Sequence, residues 1–237
     1  MIRLVTVPSV EFNLARLIAA ISEAHPDRVA LVHKSKQISF PTFVERYRRF
    51  GSALNASGLS CRVERSELEG HMSGQDHVAL FLNNECEYLE SMLGAWAGRV
   101  ASFNVNHRYI ADELHYLLTD ADAKAVVVNS MYAPNLAEVL PQLPNLGLIV
   151  QVPDESGNGL LPGAIYYEDF LREQEPRDLD DCSPDDLYLL YTGGTTGMPK
   201  GVLWRNADFF VGALGGLDRK TGLDYDSYAE VASAAAR

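Results

Sequence analysis

Tyr191-Thr192-Gly193-Gly194-Thr195-Thr196-Gly197-Met198-Pro199-Lys200-Gly201, or YTGGTTGMPKG, directly follows the strand-like run Asp186-Leu187-Tyr188-Leu189-Leu190-Tyr191. The rest of the 237-residue chain is read outward from this stretch. Glycines let a backbone take positive φ and bring its N–H groups close to an anion. The threonine hydroxyls add donors, and Lys200 adds a full positive charge that can reach a polyphosphate. The composition predicts a phosphate-cradling loop.

The loop is not of the Walker type, which has Gly before the Lys and Ser or Thr after it, where a helix begins. Here Pro199 precedes Lys200, Gly201 follows it, and Val202-Leu203-Trp204 reads as a second strand. Strand, loop, strand is a different device from strand, loop, helix. The plainer alternative is a glycine-rich hairpin, although a simple turn rarely needs more than two or three special residues.

Upstream, the pattern alternates between helix and strand. Leu14, Leu17, Ile18 and Ile21 share one helical face, and His25-Pro26-Asp27 ends that helix. Short strands are predicted at Arg28 to His33 and Gln37 to Phe40, around Lys34-Ser35-Lys36. A helix carrying Phe43, Tyr47, Phe50 and Leu54 follows, with Pro41 in its first turn and a stop near Gly58. Strands at His77 to Leu82, Val100 to Val105, Lys124 to Val128 and Leu146 to Val152 are interleaved with three helices. Those helices are expected at Asn84 to Ala97, from Asp112-Glu113 through Leu118, and at Tyr132 to Leu140. Repeated β–α units with short connections imply an α/β fold with a largely parallel sheet flanked by helices.

Two stretches break this rhythm. Cys61 to Gln75 is polar and reads as a surface excursion. Glu173 to Asp186 sets seven carboxylates against Arg177 and reads as a solvated linker. Residues 1–183 are therefore expected to form an N-terminal α/β subdomain with the acidic linker at its end. Residues 184–237 would begin a second subdomain that carries the loop. Its strands, Asp186 to Tyr191 and Gly201 to Trp204, are expected to open a second sheet.

Composition narrows the function. Hydrophobic residues make up 47% of the chain, enough for a sizeable core, and 32 acidic against 20 basic residues give a net charge of −12. Such a chain repels nucleic acid and anionic membrane surfaces. The cluster Arg46, Arg48 and Arg49 reads as a solvated helix face. Cys61, Cys86 and Cys182 show no C-x-x-C pairing, which suits reduced thiols in a cytoplasmic protein. No apolar run approaches the ~18 residues of a membrane span, and the first ten residues lack a signal-peptide core. The histidines show no close metal-ligand spacing; His71 and His77, six apart, are a weak cue, and surface positions are expected. No G-x-S-x-G elbow points to a serine hydrolase. Trp96, Phe103, Trp204, Phe209 and Phe210 are expected to be mostly core. Phe209 and Phe210 stand out because they follow the loop so closely.

YTGGTTGMPKG resembles the Ser/Thr/Gly-rich signature of the adenylate-forming superfamily, with Gly193 where Ser is usual. Gln37-Ile38-Ser39-Phe40-Pro41-Thr42-Phe43 and Gly94-Ala95-Trp96-Ala97-Gly98-Arg99-Val100, continuing into Phe103-Asn104-Val105-Asn106, resemble its two upstream signatures. The resemblance spans about Phe12 to Phe210. It implies an acyl-CoA synthetase in which the loop holds ATP phosphates while a carboxylate attacks the α-phosphorus, before coenzyme A captures the acyl group. Thr192, Thr195 and Thr196 would supply hydroxyl donors, Gly193, Gly194 and Gly197 backbone approach, and Lys200 the mobile cation. ATP, Mg²⁺, coenzyme A and a fatty or steroid side-chain acid are the small molecules implied, with Phe209 and Phe210 as acyl-pocket candidates and residues 184–237 as the truncated start of the nucleotide-binding subdomain.

Two departures stand out. Asn206 takes the place where the family often has His, six residues after the lysine. In addition, only 36 residues follow Gly201. The family's adenine, ribose, Mg²⁺ and C-terminal lysine positions come later than that. The chain is therefore expected to be the front part of such an enzyme, with no catalytic residue of its own and no activity in isolation. The alternative is a non-catalytic fragment or interaction module that binds phosphate weakly.

Overall fold

The computed structural model describes residues 10–192, 198–218 and 221–235. Helix α1 (Leu14–Ala24) starts where the Asn13 side chain accepts from the backbone N–H groups of Ala15 and Arg16. Strands β1 (Val29–His33) and β2 (Lys36–Ser39) form the expected hairpin, with Lys34 in the left-handed region at φ 53°. Ser39 caps α2 (Phe40–Ala56), whose first turn holds Pro41. Gly58, at φ +85°, reverses the chain beyond it.

The α/β repeat then runs β3 (His77–Phe81), α3 (Cys86–Ala97), β4 (Ala101–Asn104), α4 (Ala111–Asp120), β5 (Ala123–Asn129), α5 (Ala133–Val139) and β6 (Leu148–Val152). A short β7 (Ile165–Tyr166) and α6 (Tyr167–Arg172) follow, then β8 (Leu187–Thr192), β9 (Lys200–Arg205), α7 (Asn206–Gly212) and α8 (Tyr228–Ala234). Sequence reasoning had no signal for β7, α6, α7 or α8. Each is only two to seven residues long.

Among the described residues one sheet has the order β7-β6-β5-β3-β4-β8-β9, parallel except for β9. Alternate residues serve opposite layers. Val78, Leu80, Val127 and Val150 meet α2 and α6, whereas Ala79, Phe81, Val126 and Val128 meet Leu114, Leu117 and Leu136 of α4 and α5. The β3-to-β4 and β4-to-β5 connections run in opposite directions and lie on opposite faces, which opens a crevice at the carboxyl ends of these strands. The glycines of the second signature have a packing reason. A Cβ on Gly94 would stand 2.7 Å from the Tyr47 carbonyl oxygen, and one on Gly51 would stand 2.9 Å from the Gly94 carbonyl oxygen. Only bare backbones let α2 and α3 approach so closely.

Three expectations are corrected. The strands around the loop do not open a second sheet: Ser102 pairs with Tyr188 and Phe103 with Leu189, so β8 extends the parallel sheet and β9 closes its edge. The acidic stretch is not a free linker. Arg49 donates to the Gln174 carbonyl, Ser52 Oγ to that of Glu175 at 2.6 Å, and Arg48 Nε to that of Arg177 at 2.5 Å. Its backbone is laid on α2, and most of its carboxylates face outward. The arginines read as a solvated face are the clamp, because carbonyls outside regular structure need donors. Arg46 turns instead to Glu90, which is buried, and to Glu168. His77 is not a surface histidine. Its ring nitrogens meet the Ala121 carbonyl and Ser73 Oγ, and burial lowers its pKa.

Candidate functional site

Strand β8 carries the site at its carboxyl end. It pairs antiparallel with β9, Thr192 opposite Lys200 and Tyr191 opposite Gly201. Direct cross-strand partners point to the same face, so Thr192 and Lys200 stand together at the mouth of the hairpin, both exposed. Tyr191 lies on the other face. A Cβ on Gly201 would come 3.0 Å from the end of its ring, so any larger residue here would have to push the ring aside. The Tyr191 hydroxyl donates to Asp120 at 2.8 Å, and Tyr116 donates to the Pro199 carbonyl at 3.2 Å. Burial, reinforced by the Asp120 carboxylate, raises the Tyr191 pKa.

Beside the hairpin lies a cleft of about 570 Å³, lined in part by Asn84, Tyr88, Asn104, His107, Leu190 and Pro199. It occupies the crevice that the strand order creates, where ligands of open α/β sheets bind. The Oδ1 atom of Asn104 is buried and has no hydrogen-bond partner among the described residues. An unpaired buried acceptor costs about 1–3 kcal/mol, so this atom marks a place for a donor.

The other end of β8 is built differently. Asp186 is 1% exposed and accepts from Arg99 Nε at 3.1 Å, the Ser183 N–H at 2.9 Å, Gln75 Nε2 at 3.2 Å and Asn13 Nδ2 at 3.4 Å. Burial outweighs Arg99 and pushes its carboxyl pKa up to about 6. Asn206, fully buried, accepts from the Leu14 N–H at 2.9 Å and donates to the Asp186 carbonyl at 2.8 Å. The residue standing at the family's frequent histidine position therefore joins the start of α1 to the start of β8. An amide can both accept and donate there.

Of the sequence-predicted phosphate ligands, the structure brings Thr192 and Lys200 together. Gly193, Gly194, Thr195, Thr196 and Gly197 lie outside the described residues. Phe210 is buried edge-on against Phe12, with ring centroids 5.3 Å apart. Phe209 packs against Tyr188, Trp96 and Trp204. Neither lines the cleft. Trp96 and Phe103 are core, as expected. Among the described residues no group of three or more His, Cys, Asp or Glu side chains is placed to hold a metal ion. Sequence reasoning missed Asn84, Tyr88, Asn104 and His107 as cleft residues, and Tyr116 and Asp120 as neighbours of the loop. One signal was available for Asp120, since a carboxylate in the last turn of a helix opposes the helix dipole.

Comparison with known proteins agrees with this architecture. Residues 18–233 match the family described as AMP-binding enzyme. The medium-chain acyl-CoA ligase Mig of Mycobacterium avium is 45% identical over 227 residues, covering 95% of this chain and 41% of that protein. A medium/long-chain-fatty-acid–CoA/3-oxocholest-4-en-26-oate–CoA ligase of Mycolicibacterium smegmatis is 35% identical, covering 89% of this chain and 36% of the relative. The chain thus spans about two-fifths of the length of these relatives. In fold it superposes on the anthranilate CoA ligase AuaEII, solved in complex with anthranoyl-AMP. The TM-score is 0.72 at 22% identity, over 88% of this chain and 37% of the other. The sheet order, the hairpin that carries the glycine- and threonine-rich stretch, and the family match across nearly the whole length agree: the chain belongs to the AMP-binding enzyme family.

Proposed function

We propose that this chain is the amino-terminal part of an ATP-dependent, AMP-forming acyl-CoA synthetase that activates a fatty or steroid side-chain acid as its acyl-adenylate and passes it to coenzyme A. The carrying observation is the hairpin mouth, where Thr192 and Lys200 stand side by side at the carboxyl end of a parallel sheet, beside the 570 Å³ cleft. Donors fixed before the reaction stabilise polyphosphate charge without reorganising. Thr192, Thr195 and Thr196 hold the β- and γ-phosphates together with the backbone of Gly193, Gly194 and Gly197, and Lys200 neutralises the charge. Mg²⁺ arrives with the nucleotide. The relatives' printed substrates support the acid class. A nucleotide-binding subdomain that starts near residue 184 is part of the same reading. So is a cytoplasmic setting, which three free cysteines suit; no helix among the described residues is long and apolar enough to cross a membrane.

Acid-dependent ATP–pyrophosphate exchange tests the proposal, in a protein that extends this chain to the length of its relatives. Lys200→Ala and Thr196→Ala should each slow exchange about 10²–10³-fold, raising the KM for ATP and leaving that for the acid unchanged. The 237-residue chain alone should give no exchange above a no-enzyme blank. A shifted KM for the acid with an unchanged KM for ATP would overturn the loop assignment.

A further inference from the structure

The hairpin that carries the phosphate loop is gripped from one side by α4. Glu113, Tyr116 and Asp120 follow one another at spacings of three and four residues, so they share a helix face. Glu113 lines the cleft, Tyr116 donates to the Pro199 carbonyl on the returning leg of the loop, and Asp120 accepts from Tyr191 on the outgoing leg. The two bonds thus hold the chain immediately before and after the stretch from Thr192 to Met198. The Tyr191 ring lies across Gly201, which locks the two legs to each other as well as to the helix. The Tyr191 ring packs against Phe103 at the edge of the core, but its hydroxyl reaches Asp120 at the surface. Asp120 is exposed, and as a carboxylate at the carboxyl end of a helix it is electrostatically misplaced unless a donor meets it.

We propose that Tyr116 and the Tyr191–Asp120 pair are positioning residues that hold the two legs flanking the glycine- and threonine-rich stretch, Tyr191–Thr192 and Pro199–Lys200, so that α4 acts as a strut for the phosphate site. This rests on the reading of the loop as a phosphate site. A loop whose donors must be in place before the anion arrives needs its legs fixed from outside. Losing one strut leaves the same donors present but spread over more conformations, and binding then has to order them.

The test is a titration of the ¹⁵N-labelled 237-residue chain with magnesium pyrophosphate, followed at the amides of Thr192, Lys200 and Gly201, with thermal unfolding of each variant alongside. Tyr116→Phe and Tyr191→Phe should each weaken pyrophosphate binding about two- to tenfold, the worth of one hydrogen bond. Their melting temperatures should stay close to that of the wild type. Asp120→Ala should match Tyr191→Phe, and Asp120→Asn, which keeps an acceptor oxygen, should recover wild-type affinity. Leu117→Ala, in the core of the same helix, should lower the melting temperature and leave affinity unchanged. Equal affinity in the wild type, Tyr116→Phe and Asp120→Ala would overturn the proposal. So would a loss in Leu117→Ala as large as that in the strut variants. A wild-type chain with no saturable response would instead bring down the phosphate reading, and the struts with it.

Discussion

The two ends of β8 are six residues apart and built on opposite plans. At Asp186 every polar atom is met: one buried carboxylate ties together the loop before β8, Asn13 at the start of α1, Gln75 before β3, and Arg99 after α3. Asn206 binds the same junction from the other side. At Thr192 and Lys200 the side chains are exposed, and the nearby Asn104 acceptor has no partner among the described residues. One end holds the fold together, and the other keeps its hydrogen-bonding capacity free. The saturated network marks the end that holds the fold, and the open end is where the proposed phosphate site lies.

The largest effect should come from breaking the saturated end. Asp186→Ala leaves Arg99 half-buried with Glu64 as its remaining carboxylate. Removing one partner of a buried pair costs about 3–5 kcal/mol, and Glu64 should keep the loss near 3 kcal/mol in urea unfolding. A loss below about 1 kcal/mol would mean that the junction is not the keystone described above.

The next effect is a pH slope. The Asp186 pKa is raised to about 6 in the folded protein, above the ordinary carboxylate value of about 3.9. A raised folded-state pKa gives stability that is fully present below the unfolded value and is lost as pH rises through the folded one. Between about pH 4 and 6 the stability of the wild type relative to Asp186→Asn should therefore fall as pH rises, by up to about 1.4 kcal/mol per pH unit. The comparison with Asp186→Asn is needed because Glu64, Asp122 and Glu168 have pKa values lowered by Arg99, Lys124 and Arg46. Those carboxylates contribute stability that is lost as pH falls, which is the opposite slope. A flat difference across this window would show that the four donors around Asp186 overcome its burial.

The smallest stability effect belongs to the open end. Lys200→Ala should change the unfolding free energy by no more than about 0.5 kcal/mol, although the same substitution should cripple nucleotide use. A loss of 2 kcal/mol would make Lys200 a structural residue and erase the contrast between the two ends.

Much of this could be read along the chain. The helix of Leu14 to Ala24, the Lys34 turn, the alternating units from His77 to Val152, and the two strands that flank the glycine- and threonine-rich stretch are all local in origin. Apolar periodicity and turn chemistry act within a few residues. The phosphate-site reading likewise followed from the crowding of glycine, threonine and lysine into one short segment.

What the chain could not disclose by itself was non-local. Whether β8 joins the first sheet or opens a second depends on its pairing with β4, as Tyr188 meets Ser102 across more than eighty intervening residues. Nothing in either strand's own pattern names its neighbour. The acidic stretch looked solvated because its side chains are charged, yet its backbone carbonyls recruit Arg48, Arg49 and Ser52 from a helix over a hundred residues earlier. Asn206 looked like a substituted functional position and is a buried tie. Tyr116 and Asp120 looked like ordinary helix residues until the fold set them beside Pro199 and Tyr191. The sequence by itself determined most of the helices and strands and where glycine, threonine and lysine crowd together, because those depend on short-range sterics and periodicity. Only the tertiary structure decided which polar groups are satisfied and which are left open, because burial and partnership are set by residues distant in the chain.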